Sequence, residues 1–230
     1  VILAEQIIAE LKSMANPTNI AGMARYGINS ANTLGIPIPA LRAIAKANKN
    51  NHELALELWK SGIHEACILA SLVDDPKQVT PEQMEDWTAD FDSWDVCDQV
   101  CSNLWETTPF AYDKEIEWSR RDEEFVKRAG FVLMARSRVG GKNTPDPARM
   151  AIIFAEIERG AADTRNFVKK AVNWALRQIG KSSLVLNHQA IATAERIARI
   201  DNPAARWVAA DALRELKSDA VQQRLKMRAQ

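Results

Sequence analysis

The sequence predicts an all-α fold, an α–α superhelix (a solenoid) in which similar helix pairs stack on one another. Three observations carry this prediction. Apolar residues recur at spacings of three and four through most of the chain, the pattern of amphipathic helices, and no stretch reads convincingly as a strand. Four helix starts are marked by Asn, Asp or Thr placed before a proline. A string also returns: EFVKRAGFVLMARSR (124–138) and NFVKKAVNWALRQIG (166–180) share Phe-Val-Lys-basic-Ala at an offset of 42.

Taken in order, ILAEQIIAELKSM opens the chain as an amphipathic helix, and Asn16-Pro17 caps the next one. HELALELWKSG, from His52, repeats the three-four spacing. Thr80-Pro81-Glu82 sets an N-cap before a first-turn proline. In FDSWDVCDQVC (91–101) a helix begins at Trp94, with Asp92 or Ser93 as its cap and Asp95 in the first turn, where a carboxylate suits the helix dipole. The two repeat strings follow, separated by GGKNTP (140–145), which reads as a turn, and by the Asp146-Pro147 start. Asn202-Pro203 begins a further helix, and WVAADALRELK, from Trp207, is a degenerate third copy about 40 residues on. Thirteen or fourteen helices of roughly 10 to 16 residues are expected, joined by short turns. A period near 40–47 with two helices per unit is that of HEAT-like and armadillo repeats. One such hairpin cannot bury its apolar face alone, so the copies stack and leave a concave surface. No low-complexity linker interrupts the pattern, so residues 1–230 read as a single repeat domain with a concave face.

Charge is divided along the chain. Residues 1–124 hold 21 acidic and 10 basic side chains, which leaves 9 acidic and 20 basic for residues 125–230. A basic half points toward a polyanion. No apolar run approaches the roughly 20 residues needed to span a bilayer, and no signal-peptide pattern is seen. Three cysteines are too few for a disulfide framework and predict a reducing, cytoplasmic setting. Cys97 and Cys101 stand four apart but make only half of a metal site. Neither a metal nor a cofactor is expected.

Candidate functional groups emerge from the helical register. Trp94 and Asp98 are neighbours on one helix face, an arrangement that does little for stability in open water but suits a cleft. Lys170, Trp174 and Arg177 follow at spacings of four and three and form a stripe apart from the packing residues Phe167, Val168, Ala171, Val172 and Ala175. Lys127 and Arg128 hold the matching place in the earlier copy. Trp59, Trp87, Trp105, Trp118 and Trp207 read as core.

The strings MARYGI (23–28), LGIPIPALR (34–42), SWDVCD (93–98), FVKRAGF (125–131) and FVKKAVNWALR (167–177) occur in an order and at a spacing that resemble the AlkD-type DNA alkylation-repair glycosylases, which are built of HEAT-like repeats. Pro37 and Ile38 depart from that pattern, since relatives often carry polar side chains there. The resemblance implies catalytic roles for Asp98, Trp94 and Trp174. It implies DNA contacts by Arg128, Tyr26, Arg42 and Arg177, and Lys127 and Lys170 join them by repeat register. The implied partner is double-stranded DNA containing alkylated purines, bound by a monomer. The implied reaction is excision of cationic N3- or N7-alkylpurines. A carboxylate near C1′ stabilises the oxocarbenium-like sugar, and indole faces favour the developing cation. Two other classes fit the same helices: a non-catalytic module that binds damaged or branched DNA, and a protein-binding scaffold.

Overall fold

The computed structural model describes residues 2–136 and 146–228, and all the described secondary structure is helical. The GGKNTP turn expected at 140–145 lies outside the described residues. Contacts divide the chain into two compact units, residues 1–111 and 112–230.

The first unit holds α1 (Ile2–Ser13), α2 (Pro17–Ala24), α3 (Ile38–Lys46), α4 (His52–Lys60), α5 (His64–Val73), α6 (Pro81–Ala89) and α7 (Trp94–Asn103), with a short 3-10 turn at Trp105–Thr107. The helix α5 is its centre. Its sequence HEACILASLV is apolar nearly all round, the pattern of a helix covered on every side, and it packs against α1, α3, α4 and α7. Trp59 of α4 stacks on Trp87 of α6 with ring centroids 4.1 Å apart, and Trp87 meets Trp105 at 5.5 Å. These contacts bury indole surface in favourable ring geometry. The loop between α2 and α3 is drawn in at Gly35, whose φ is +76°. A Cβ there would lie 2.5 Å from the Asn16 carbonyl, so glycine is required on two counts.

The second unit holds α8 (Ala111–Ser119), α9 (Glu124–Arg136), α10 (Pro147–Gly160), α11 (Asn166–Gly180), α12 (Leu184–Ile197), α13 (Pro203–Leu216) and α14 (Asp219–Arg228). Here the repeat is visible in three dimensions. The helices that carry the recurring string, α9, α11 and α13, lie side by side, with α10 and α12 packed on them and on each other. Phe125 and Phe167, equivalent in the 42-residue register, touch with ring centroids 5.7 Å apart. Gly130 lets α8 cross α9 at backbone distance, since a Cβ would meet the Ser119 nitrogen at 2.5 Å. This is the stacked helix-pair packing of HEAT-like repeats.

All four proline-marked starts are capped. The side chains of Asn16, Thr80, Asp146 and Asn202 each accept from one or two backbone N–H groups of the helix that follows, and such a cap is worth about 0.5–2 kcal/mol. Ser93 occupies the N-cap position of α7 but does not cap it with its side chain. Its hydroxyl accepts instead from the Asn29 backbone N–H at 2.9 Å, exchanging a local cap for a tertiary tie. Trp59, Trp87, Trp105 and Trp118 are core, but Trp207 is not: it is 41% exposed.

Candidate nucleic-acid interface

In the first unit the start of α7 is held by four consecutive residues. Asp92 accepts from the Asn29 amide at 2.6 Å, and Ser93 from the Asn29 backbone. The Trp94 indole donates to the Tyr26 carbonyl at 3.1 Å. Asp95 Oδ2 lies 2.9 Å from Nε2 of His64, the first residue of α5. The half-buried Trp94 ring is therefore oriented by its own N–H, and Asp98, also half-buried, follows one turn later. The structure thus brings Tyr26 and Trp94 together through backbone and indole, with the Tyr26 residue 74% exposed. Arg42 is exposed on α3 and has no ion-pair partner among the described residues.

The loop carrying LGI (34–36) is fixed from below. Glu65, 1% exposed, accepts from the backbone N–H groups of Leu34 at 2.8 Å, Gly35 at 2.6 Å and Ile36 at 3.2 Å. Beside it, His64 is pulled in two directions. Burial would lower its pKa, but the hydrogen bond to Asp95 and the negative charges of Asp95, Glu65 and Asp92 outweigh that and raise it. Cys67, on the same helix, has its thiol pushed up to about 12 by burial and the nearby carboxylates, so it is inert near neutrality. Cys97 and Cys101 are fully buried in the core of α7.

In the second unit Lys170, Trp174 and Arg177 share one face of α11, with Lys170 exposed and the other two half-buried. They differ in commitment. Lys170 has no ion-pair partner among the described residues. Arg177 pairs with Asp211 and Glu215 of α13, each at 3.0 Å, and joins a polar ladder with Asn173–Asp211 and Lys181–Glu215. Burial alone would raise the Asp211 carboxyl, yet the Asn173 hydrogen bond and the charges of Arg177 and Arg214 hold it below its ordinary value. Lys127 pairs with Asp163 at 3.4 Å, with both side chains largely covered. Arg128 departs from the open cation that its register predicts. It is 5% exposed, and its Nη1 donates to the Phe167 carbonyl at 2.5 Å, tying α9 to α11.

Trp207 is the residue that sequence reasoning misplaced. The ammonium of Lys169 sits over its ring, 4.8 Å from the centroid. The repeat register held the signal. Lys127 and Lys169 occupy the same position in the two earlier copies, and both are half-buried.

Residues 7–222 match the protein family described as DNA alkylation repair enzyme. Two relatives match over shorter stretches. The uncharacterised protein Lin0241 of Listeria innocua is 34% identical over 94 residues, 39% of this chain and 42% of the relative. The uncharacterised protein Lmo0209 of Listeria monocytogenes is 32% identical over a stretch of the same length and coverage. The match thus spans less than half the length of either relative. Among solved structures, a member of "a new family of proteins related to the HEAT-like repeat DNA glycosylases with affinity for branched DNA structures" superimposes with a TM-score of 0.77. The superposition covers 92% of this chain and 95% of that one at 20% identity, a likeness of fold.

Proposed function

This chain belongs to the DNA alkylation repair enzyme family, and from that premise we propose that it is a DNA glycosylase releasing cationic N3- and N7-alkylated purines from duplex DNA. The observation that carries this reading is the start of α7, where a tethered indole and a carboxylate stand one turn apart in a chain matching the family over residues 7–222. Alkylation at N3 or N7 makes the purine a good leaving group, and bond cleavage leaves positive charge on the sugar. Asp98 faces that charge and orients the attacking water. Trp94 offers its ring face to that cation, and Trp174 is the second tryptophan that the family pattern assigns to catalysis. Tyr26, Arg42 and Lys170 are the groups open to the DNA backbone. Arg128, Lys127 and Arg177 act within the second unit, where they help hold α9, α11 and α13 together.

The test is release of 7-methylguanine from methylated duplex DNA, a substrate stable enough to keep the spontaneous background low. Wild-type protein releases the base above the protein-free rate. Asp98→Asn lowers release about 100-fold or more, the loss of one preorganised electrostatic partner, with DNA affinity unchanged or slightly tighter because a charge repelling phosphate is gone. Equal release by both proteins removes Asp98 from the mechanism. Release by neither favours a second reading, a non-catalytic module that binds damaged or branched DNA. Affinity for branched DNA is what is described for the structural relative.

A further inference from the structure

We infer that His64 is a positioning residue for Trp94, acting through Asp95 to hold the first turn of α7 in a charge-dependent way. Its catalytic consequence rests on the glycosylase reading above; the coupling itself does not.

Residues 92–95 each bond to another element, which is more than a helix start needs for capping. Asp92 and Ser93 hold Asn29, Trp94 holds the Tyr26 carbonyl, and Asp95 holds His64. Only the last tie has its donor on a packed helix, because Asn29 and Tyr26 both lie in the segment after α2. The His64 side chain is 4% exposed, and its backbone N–H is spent on the Asn32 carbonyl at 3.0 Å. Asp95 Oδ1 is buried with no hydrogen bond, so the anchoring of this carboxylate runs through His64. A carboxylate in the first turn already suits the dipole of α7. A histidine at the N-terminus of α5 does not suit its own helix when charged, so the partner on α7 accounts for the pairing.

The tie is titratable. The charged groups around the imidazole are Asp95 and Asp92 from the α7 side and Glu65 from its own helix. Lys60, Cys67 and Asp90 line the same recess of about 430 Å³. The raised His64 pKa sets the sign: the bond is charge-assisted below the ordinary value of 6.5 and weakens as pH rises through the folded value. Neutral imidazole can keep its proton on Nε2, so the bond loses the cation's charge but keeps the ionised acceptor, and it weakens instead of breaking. Trp94, peptide-bonded to Asp95, then loses part of the restraint on its turn.

The experiment is an NMR titration of the full chain, which has only three histidines, read together with base release across the same pH range. The Trp94 indole signal is assigned by Trp94→Phe. The expected result is a His64 midpoint above its ordinary value, a Trp94 indole shift with the same midpoint, and release falling about three- to tenfold through it, the effect of removing the cation from an ion-paired hydrogen bond. His64→Gln keeps an N–H donor at every pH and should remove both dependences. His64→Ala should place Trp94 at its high-pH position throughout. A Trp94 signal that stays flat while His64 titrates overturns the inference, and this wild-type measurement decides even where a variant does not fold. A His64→Gln protein that keeps the wild-type release profile also overturns it. A moving Trp94 signal without release at any pH supports the coupling and sinks the glycosylase reading alone.

Discussion

At the residue scale, the basic side chains divide by whether their charge is already used. Lys170 is exposed with no ion pair among the described residues, whereas Arg128 is buried with one donor spent on the Phe167 carbonyl. The two substitutions should therefore separate. Lys170→Ala is expected to leave the melting temperature unchanged and to reduce the salt slope of DNA binding by about one, the signature of a single lost phosphate contact. Arg128→Ala removes a charge-assisted bond between α9 and α11 and should cost about 1.5–3 kcal/mol of stability in chemical denaturation. A Lys170→Ala protein with an unchanged salt slope would remove Lys170 from the DNA surface. An Arg128→Ala protein of wild-type stability would show that the guanidinium does not bind the repeats together.

At the scale of elements, what could be read from sequence was what local rules encode. The three-four spacing of α1 and α4 and the four X-Pro starts all reappear as capped or packed helices. So does the 42-residue register, because equivalent faces must stack. The ties at α7 were hidden because their partners lie far off in sequence: Asn29 is 64 residues from Ser93, and Tyr26 is 68 from Trp94. Trp207 misled for a different reason. Indoles are usually buried, and a lysine on the neighbouring helix half-covers this one. Glu65 stands in the first turn of α5, where local rules give it no tertiary role, and it is the clamp on LGI. Glu65→Gln leaves one oxygen to serve three backbone donors and turns an NH₂ group toward them, so it should destabilise the first unit by about 2–4 kcal/mol in urea. A change below about 0.5 kcal/mol, within the range of ordinary surface substitutions, would mean that the packing around Gly35 holds the loop without the carboxylate.

On the scale of the whole molecule, the division of charge is less simple than the sequence totals suggest. Some of the acid in the first unit is committed inside the fold, as with the buried Glu65 and Asp74 and the paired Asp95, while most of it is exposed or half-buried. Much of the basic excess of residues 125–230 is already paired within the chain: Arg149, Arg159, Arg165, Arg196 and Lys217 each meet a carboxylate, as Arg177 and Lys181 do. Paired cations cost something to redirect toward phosphate, so the number of phosphates neutralised should be far smaller than the number of basic residues. About four contacts are expected, with Lys170 and Arg42 among them. Duplex binding should then weaken with salt at a log–log slope of roughly −4, near −0.9 per phosphate. A slope near −10 would mean that the internal pairs open on binding, and Arg177→Ala would then reduce it as Lys170→Ala does. A flat response would leave the exposed Tyr26 and the α11 face without a polyanion to meet, and a protein scaffold would become the better reading.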